Sequence, residues 1–494
     1  MNLSAFIIDS ACKYPDNTCV VHDSNRFTYF EIDRLSDILA NTLIENGLRK
    51  GERVVILLEN SAEYIISFFA ILKTCGVAVP LNTQLVSREL SYLLNDCSPK
   101  LIITNSQHQS TLKSLTNPKS ILLIDKLNLN KKSIPETYNL EPISGNDTDL
   151  AMIIYTSGTT GNPKGVMLSH QNLCANADSI IEYLQPSASD KIMVVLPFYY
   201  SYGTSLLTTH IKVGGTLVID NRFLYPNVVL DTMKKEQVTG FAGVPSNYII
   251  LLRKSALRKY KLNNLRYVTQ AGGAMSPAMI QEFIKTIPHI KFYVMYGQTE
   301  ATARLAYLAT EFLENKLGSI GKAIPGVELD ILNEQNQRVK TGETGEIVAR
   351  GANIMLGYWN SPEETAGVLT KEGLRTGDLA YKDEDGFIYL VARKKEMIKS
   401  GANRISPLEI EEVACQMPGV LECAAVGIPD EILGETIGLY VVKSSINLSK
   451  NDLLLFCKQN LAAFKMPKVV EFVESLPKTS TGKIKRLALT GDLQ

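Results

Sequence analysis

The sequence lacks an excess of charge of either sign, with 51 Lys and Arg against 51 Asp and Glu. Proteins that hold nucleic acid through bulk charge carry a basic excess, so we expect no nucleic-acid partner. Long apolar runs are also missing. The most apolar helix candidate, 64–72, is followed by Lys73 and is too short to cross a bilayer. The N-terminus also lacks the basic region of a signal peptide. We therefore expect no membrane insertion.

The eight cysteines contain no C-x-x-C pair, which argues against a zinc site or a thioredoxin-like motif. Scattered cysteines in a large chain are typical of reduced thiols in a cytoplasmic protein. Hydrophobic residues make up 45% and charged residues 21% of the 494 positions, which indicates a globular chain of more than one domain.

Short apolar strands alternate with helix-length segments through the first two thirds of the chain, which predicts an α/β fold with layered, largely parallel sheets. From about Val327 short strands separated by Gly-rich turns predict a smaller β-rich subdomain. A charged stretch from Arg393 indicates a linker, and the remainder predicts a small α+β domain. The expected domains are 1–392, with two layered α/β subdomains plus the β-rich one, and 393–494. Residues 128–139 are expected to form an exposed loop.

The strongest local signal is YTSGTTGNPKGV at 155–166, which follows a β-run and precedes a helix-length segment. Glycines allow consecutive backbone N–H groups to turn toward an anion, the hydroxyls add donors, and Lys164 adds a point charge. The segment therefore predicts phosphate binding. It is not a Walker A loop, because Pro163 precedes Lys164 and no Ser or Thr follows it.

This segment resembles the phosphate loop of the acyl-adenylate-forming superfamily, which includes acyl-CoA synthetases, adenylation domains of nonribosomal peptide synthetases and luciferases. The resemblance covers essentially the whole chain and is greatest to free-standing acid–thiol ligases. It rests on further motifs in the same order: FTYFEID (27–33), LPFYYSYG (196–203), QAGGAMSP (270–277), MYGQTEAT (295–302), GEIVARGANIMLGYW (345–359), RTGDLAY (375–381), GFIYLVARKKEMIKSGANRISPLEIE (386–411) and PKTSTGKIKR (477–486).

The resemblance implies that ATP is bound with Mg²⁺, whose ligands would be Glu300 and Thr156, because hard oxygen donors suit this ion. Tyr296 would offer a flat face to adenine, Asp378 would accept hydrogen bonds from the ribose, and Arg393 would contact the ribose. The full set of expected nucleotide-binding residues is Thr156, Ser157, Gly158, Thr159, Thr160, Gly272, Gly273, Tyr296, Gly297, Thr299, Asp378 and Arg393.

The expected catalytic residues are Lys483, Lys164 and Glu300. A carboxylate attacks the α-phosphorus of ATP, so positive charge is needed where negative charge accumulates, and no general base is required. By resemblance, Lys395 is the hinge about which a mobile C-terminal domain brings Lys483 to the phosphate. His170 is expected to be structural. No His shows triad spacing, which argues against a hydrolase.

Aligned motifs place the acid pocket at Tyr200, Ser201, Tyr202, Ser205, Ala242, Thr269, Met295, Ala303 and Arg304. Ser201 stands where amino-acid adenylation domains usually carry Asp, which argues against a standard α-amino acid. Tyr200 stands where many relatives have a gating His. The bulk of Tyr202 and Met295 favours a small acid. Arg304 is expected to pair either with a second anionic group of the substrate or with a neighbouring carboxylate.

The expected reaction joins a small carboxylic acid to a thiol through acyl-AMP. The chain ends soon after the lysine motif, so the thiol is expected from a separate molecule, either coenzyme A or carrier-protein phosphopantetheine. Three alternatives stay open. They are an enzyme that loads an amino acid such as proline onto a separate carrier protein, a nucleotide-binding sensor without catalysis, and a luciferase-like oxygenase.

Overall fold

The computed structural model describes residues 2–127, 129, 145–156, 163–401, 403–431, 433–443, 448–478 and 484–490. Most of the expected exposed loop at 128–139 lies outside these residues. No helix in the described ranges is long and apolar enough to cross a bilayer.

The helices of the described chain are α1 Ala5–Lys13, α2 Tyr29–Glu45, α3 Ala62–Lys73, α4 Ser87–Cys97, α5 Gln109–Lys113, α6 His170–Leu184, α7 Ser201–Val213, α8 Pro226–Glu236, α9 Pro245–Lys254, α10 Pro277–Thr286, α11 Pro362–Val368, α12 Pro407–Gln416, α13 Lys450–Asn460 and α14 Arg486–Leu489.

The strands are β1 Thr18–His22, β2 Asn25–Thr28, β3 Arg53–Leu57, β4 Val77–Pro80, β5 Leu101–Thr104, β6 Ile121–Leu123, β7 Leu150–Thr156, β8 Lys164–Ser169, β9 Lys191–Val194, β10 Thr216–Ile219, β11 Gly240–Gly243, β12 Tyr267–Gln270, β13 Lys291–Tyr296, β14 Ala306–Leu308, β15 Lys322–Ala323, β16 Val327–Leu332, β17 Gly345–Gly351, β18 Gly357–Tyr358, β19 Leu369–Thr370, β20 Gly373–Lys382, β21 Ile388–Arg393, β22 Ile398–Ser400, β23 Asn403–Ile405, β24 Val420–Asp430, β25 Gly434–Lys443 and β26 Val469–Val473.

Two large sheets form the layered part of the fold. The first has the order β15-β14-β13-β12-β11-β9-β10-β1-β2 and is parallel from β13 to β1; the second has the order β18-β8-β7-β4-β3-β5-β6 and is parallel from β7 to β6. Their central strands are almost entirely buried, as in β3, where VVIL follows the half-buried Arg53, because strands of parallel sheets are covered on both faces. The expectation of largely parallel α/β layers is confirmed.

Helices cover both faces of these sheets. The helices α2, α3, α6 and α7 share one hydrophobic core with strands of both sheets, so they form the layer between them. All residues of α3 except Glu63 in its first turn are buried, which is typical of a helix packed on nearly all sides. The helices α8, α9 and α10 cover the outer face of the first sheet, and α4 covers that of the second.

A third sheet, β16-β17-β20-β19 with β21 beside β20, is antiparallel and packs on the central core, as the Gly-rich strand pattern predicts. The last sheet, β23-β22-β25-β24 with β26 beside β25, has hydrophobic clusters of its own, with α12 and α13 on one face and α14 on the other. A large N-terminal domain and a small α+β C-terminal domain are thus confirmed. Position 392/393 as their exact boundary stays a prediction.

Two buried histidines hold the central helices in place. The Nδ1 atom of His170 accepts a hydrogen bond from the Leu3 N–H at 3.1 Å, which supports the structural role expected for this residue. The Nδ1 atom of His210 lies 3.0 Å from the Leu206 carbonyl oxygen, which can only accept, so this ring is protonated at Nδ1 and accepts from the Tyr267 hydroxyl at Nε2. Both rings are therefore neutral.

We predict that these histidines destabilise the fold at acidic pH. Burial lowers the pKa of His170 and of His210 to about 4. The unfolded chain, with a histidine pKa near 6.5, therefore binds more protons than the folded chain between about pH 4 and pH 6.5, so stability is lost as the pH falls through this window. Each histidine contributes up to about 1.4 kcal/mol per pH unit.

The measurement is the free energy of unfolding in urea at pH 7 and pH 5. The substitution His170→Asn keeps a hydrogen-bond acceptor but removes the titrating group, so its loss of stability between the two pH values should be smaller. Equal losses in the variant and the unsubstituted protein would contradict the prediction.

Candidate active site

The phosphate-binding segment connects two antiparallel strands. Thr156 ends β7 and Lys164 begins β8, and the two residues are paired in the register, with the Thr156 hydroxyl 3.5 Å from the Lys164 carbonyl oxygen. The helix-length segment expected after the motif forms α6, and between the two 164–169 form a strand against β7. The expected phosphate ligands Ser157, Gly158, Thr159 and Thr160 lie outside the described residues.

The side chain of Lys164, at the start of β8, forms an ion pair with a carboxylate. Its Nζ lies 2.6 Å from Glu364 Oε1, on α11, and 5.2 Å from the centre of the Tyr358 ring. The lysine side chain is 19% exposed and Glu364 39%, so the pair is accessible to solvent. A protein carboxylate thus balances the ammonium that the sequence assigns to phosphate.

Glu300 lies in a short turn after β13 and is held by an aromatic hydroxyl. The Tyr358 hydroxyl donates to Glu300 Oε1 at 2.8 Å, and burial, followed by the charge of Glu300, raises the pKa of Tyr358. The same Tyr358 therefore contacts both Glu300 and Lys164. This arrangement fixes the carboxylate beside the lysine.

These oxygen donors fit Mg²⁺. The ion usually takes one or two protein carboxylates and completes its shell with phosphate oxygens and water. Glu300 supplies an ionisable carboxylate and Thr156 a hydroxyl, and the described residues contain no group of three His, Cys, Asp or Glu side chains that would form a closed metal site. The donor set suits a cation that arrives with a nucleotide.

A buried carboxylate joins the first sheet, the third sheet and the start of the C-terminal segment. Asp378 on β20 accepts a hydrogen bond from the Tyr296 hydroxyl at 2.6 Å, and its second oxygen lies 2.9 Å from Arg393 Nε. Arg393 faces Asp378 across β20 and β21, and the Asp378 charge raises the pKa of this guanidinium. The structure thus brings together three residues that the sequence assigns to the nucleoside.

Glycines allow two close approaches near these residues. A Cβ atom at Gly297 would lie 2.0 Å from the Ala303 carbonyl oxygen, so only glycine lets the turn after β13 fold back on itself. Gly272 has φ +85° after β12, and the Gln270 side chain donates to the Gly273 carbonyl oxygen at 2.7 Å. These positions match the loops expected to border adenine.

The expected acid-pocket residues lie at the ends of adjacent parallel strands and on α7. Ala242 on β11 is level with Thr269 on β12, and Thr269 is level with Tyr293 on β13, so Met295 shares their face two residues further on. From α7, the Tyr202 hydroxyl lies 2.9 Å from both the carbonyl and the hydroxyl oxygen of Thr269. The side chain of Tyr202 therefore spans the strand ends.

The start of α7 connects this pocket to the nucleotide motif. Tyr200 is the residue before the helix and its ring packs against Tyr199, while the Ser201 hydroxyl lies 3.3 Å from the Thr299 hydroxyl. Ser205 donates to the Tyr202 carbonyl oxygen at 2.7 Å, so its hydroxyl is used within the helix.

Arg304 is buried in the same pocket, with 2% exposure. Its Nε lies 3.1 Å from the Met295 sulfur and its Nη1 3.3 Å from the Ala303 carbonyl oxygen, and the guanidinium lies 4.3 Å from the centre of the Tyr202 ring. Of the two alternatives left open for Arg304, a neighbouring carboxylate is not found among the described residues, in which no carboxylate oxygen lies within 4.0 Å of this guanidinium.

The hinge and the lysine motif lie in the C-terminal part of the chain. Lys395 is exposed in the turn after β21, and Lys483 lies outside the described residues. A β-bridge between Lys478 and Ile484 flanks the segment that contains Lys483, and Arg486 pairs with Glu411 and, at 3.1 Å, with Glu396 beside the hinge.

Three residues of the site were missed by sequence reasoning. Tyr358 lies within the motif GEIVARGANIMLGYW, so the sequence indicated that this segment belongs to the site. It did not indicate that Tyr358 contacts Glu300. Glu364 lies 200 positions from Lys164 and no local pattern pairs them. Tyr183 on α6 donates to the Met295 sulfur at 3.1 Å and stacks on Tyr307 at 4.1 Å, and only the packing of α6 reveals it.

A lysine, a hydroxyl and a carboxylate suited to a metal nucleotide, near the cluster of residues expected to bind an acid, are the features expected of an enzyme that activates an acid with a nucleotide. Comparison with known families agrees: residues 8–359 match the AMP-binding enzyme family and residues 409–483 match the AMP-binding enzyme C-terminal domain. The chain belongs to the AMP-binding enzyme family.

Relatives of the whole chain carry the names of coenzyme A ligases. A long-chain-fatty-acid–CoA ligase of Bacillus subtilis is 32% identical over 99% of this chain and 94% of its own, and a feruloyl-CoA synthase of Amycolatopsis sp. is 34% identical over 98% and 97%. The solved o-succinylbenzoate coenzyme A synthetase of Bacillus subtilis, in complex with ATP and magnesium ion, has a TM-score of 0.87 and 28% identity over 98% of each chain.

We predict that Glu364 competes with ATP for Lys164. Replacing Glu364 by Gln removes the counter-charge and frees the ammonium, and exposed pairs of this kind contribute about 0.2–1 kcal/mol, so the Kd for Mg-ATP should fall about 1.4- to 5-fold. The measurement is calorimetric titration, with the exposed neighbour Glu363→Gln as the matched control. A weaker affinity in Glu364→Gln alone would show that this carboxylate assists nucleotide binding instead.

Proposed function

We propose that the protein joins a small carboxylic acid to coenzyme A in two steps. In the first, an oxygen of the acid attacks the α-phosphorus of ATP, the bond to the β-phosphate oxygen breaks, and pyrophosphate leaves. In the second, the thiol sulfur attacks the carbonyl carbon of the acyl-AMP, AMP leaves with the electron pair of the broken bond, and the thiol gives up its proton.

The charges around the hairpin of β7 and β8 support the first step. Lys164 and Lys483 would place positive charge where negative charge accumulates as two anions approach. The carboxylate of Glu300, fixed by Tyr358, and the hydroxyl of Thr156 would hold Mg²⁺, which supplies charge neutralisation at the phosphates when bound. Asp378, with Arg393 beside it, would hold the ribose.

One observation carries the proposal: β13 presents two different environments at its end. Successive side chains of a strand point to opposite faces, and here Tyr296 contacts Asp378 while Met295 contacts Arg304. The nucleoside and the acid would therefore lie on either side of one strand end. The Ser201–Thr299 contact of 3.3 Å marks the place where the two sides meet.

The size and charge of the pocket favour a small acid without an amino group. The Tyr202 hydroxyl is hydrogen-bonded to Thr269, while Met295 contacts Tyr183 and Arg304, and these fixed, bulky side chains favour a short acid over a long acyl chain. The buried guanidinium of Arg304 also repels an ammonium group. Proline and other amino acids, which are the substrates of the carrier-loading alternative, are therefore disfavoured.

Coenzyme A is the proposed acceptor because the full-length relatives are named as CoA ligases. We propose further that the C-terminal domain, from residue 393, rotates about Lys395 between a pose that brings Lys483 to the phosphate and one that admits the thiol. All eight cysteines are free thiols in the structure, which supports a cytoplasmic location.

The test is acid-dependent exchange between ATP and pyrophosphate across short fatty, aromatic, dicarboxylic and amino acids, followed by product analysis with coenzyme A or a phosphopantetheine-bearing carrier protein. We expect exchange with a small acid that carries no amino group and a thioester with coenzyme A. A response confined to amino acids, with transfer only to the carrier protein, would establish the alternative. No exchange with any acid would refute the proposed function.

We predict that Lys483→Ala loses the adenylation step while keeping ATP binding. Preorganised electrostatic groups of this kind contribute about 2.7–4 kcal/mol, so acid-dependent pyrophosphate release should fall by about 10²- to 10³-fold or more. The matched control is Lys485→Ala, which removes an exposed basic side chain two positions away and should retain the rate. Full pyrophosphate release by Lys483→Ala would show that this lysine is not catalytic.

A further inference from the structure

Arg304 is the least compensated charge in the acid pocket. The partners of its guanidinium are a thioether sulfur, one backbone carbonyl, the Tyr183 hydroxyl and the face of the Tyr202 ring, all of them uncharged, and only 2% of the residue is exposed. Thioethers and ring faces are weak partners for a cation compared with a carboxylate. Within the described ranges the protein itself provides no anion for this group.

A buried cation without a counter-ion is costly for the fold. Desolvation of a guanidinium is normally offset by a hydrogen-bonded carboxylate or phosphate, and buried charges in proteins are paired for this reason. Buried carboxylates of this chain obey the rule: Asp190 pairs with Arg266 and Glu346 with Arg375. The exception at Arg304 therefore indicates that its anion is supplied by a bound molecule.

The position of the guanidinium identifies which part of that molecule it meets. Arg304 contacts Met295 and Tyr202, whereas Lys164 and Glu300 lie around Tyr358. The junction of the two sides is at Ser201 and Thr299, where the reacting carboxylate must approach the nucleotide. An acid with its reacting end at this junction extends toward Tyr202, so its far end lies against Arg304.

We propose that the substrate is a short dicarboxylic acid, and that Arg304 binds the carboxylate that does not react. A planar guanidinium can donate two parallel hydrogen bonds to such a group, which fixes orientation as well as charge. Tyr202 holds the guanidinium from one side, and Tyr183 and Met295 close the pocket behind it. This inference rests on the proposed function of the site as an acid–CoA ligase.

The test compares matched acids in the exchange of pyrophosphate with ATP, using the full chain. The pairs are succinate, glutarate, adipate and isophthalate against their monomethyl esters, which keep the length and one carboxylate but lose the second charge. A site built around a charged partner rejects an analogue that lacks it, so kcat/KM for the preferred diacid should exceed that of its monoester by at least about 100-fold.

The variant Arg304→Met removes the charge and keeps much of the volume. We expect kcat/KM for the diacid to fall by about 100-fold or more, that for the monoester to change by less than about threefold, and Arg304→Lys to recover part of the preference. The matched control Arg258→Met removes a surface arginine paired with Glu282 and should keep the preference. Thermal unfolding of each variant separates a folding defect from a change in specificity.

The opposing outcomes are distinct. If the unsubstituted protein prefers monoesters or simple monoacids, the inference is overturned while the proposed function stands. Equal losses for diacid and monoester in a folded Arg304→Met would assign Arg304 to the reacting carboxylate and would also overturn the inference. If Arg304→Met does not fold, the preference of the unsubstituted protein and of Arg304→Lys decides. No exchange with any acid would refute the proposed function itself.

Discussion

The site depends on one buried carboxylate. Asp378 accepts a hydrogen bond from Tyr296 at the end of the first sheet and pairs with Arg393 at the end of β21, so a single side chain connects the layered α/β part, the β-rich sheet and the first residue of the C-terminal segment. A carboxylate removed from water needs such partners, and each partner is in turn fixed by it. The residues proposed to hold the nucleoside and the start of the C-terminal segment are therefore built as one unit.

Electrostatic balance distinguishes the two sides of β13. On the nucleotide side the described cations have protein counter-ions, with Glu364 at Lys164 and Asp378 at Arg393, and these carboxylates keep the site stable before any phosphate is present. On the acid side Arg304 has uncharged partners among the described residues, namely Tyr202, Tyr183, Met295 and a backbone carbonyl. Among the described residues the chain thus compensates its charges on the proposed nucleotide side and leaves Arg304 without an anion on the proposed acid side.

Much of this architecture could be predicted from the sequence, because it depends on local patterns. Continuous apolar runs such as RVVIL identify buried strands, and the Gly- and hydroxyl-rich segment at 155–166 identifies phosphate chemistry. Interactions that span the chain could not be predicted in this way. The pairing of Lys164 with Glu364 and of Tyr358 with Glu300 depends on how β18 joins the edge of the second sheet and α11 follows it. The strand at 164–169 was missed because it forms by pairing with β7, and the residues of this segment alone do not indicate that pairing.

The lack of a counter-ion at Arg304 could not be predicted for another reason. It requires that none of the described elements packed around Arg304 places a carboxylate beside it, and no local sequence pattern shows this. The roles of the expected nucleotide-binding and catalytic residues come from their motifs, and the contacts among the described residues support them.

The alternation along β13 also bears on how such an enzyme can evolve. Substitutions at 293 and 295 reshape the acid pocket without touching the face that carries Tyr296, whereas Gly297, confined against the Ala303 carbonyl, admits no side chain. New specificities can therefore arise on an unchanged nucleotide machinery, one strand position at a time.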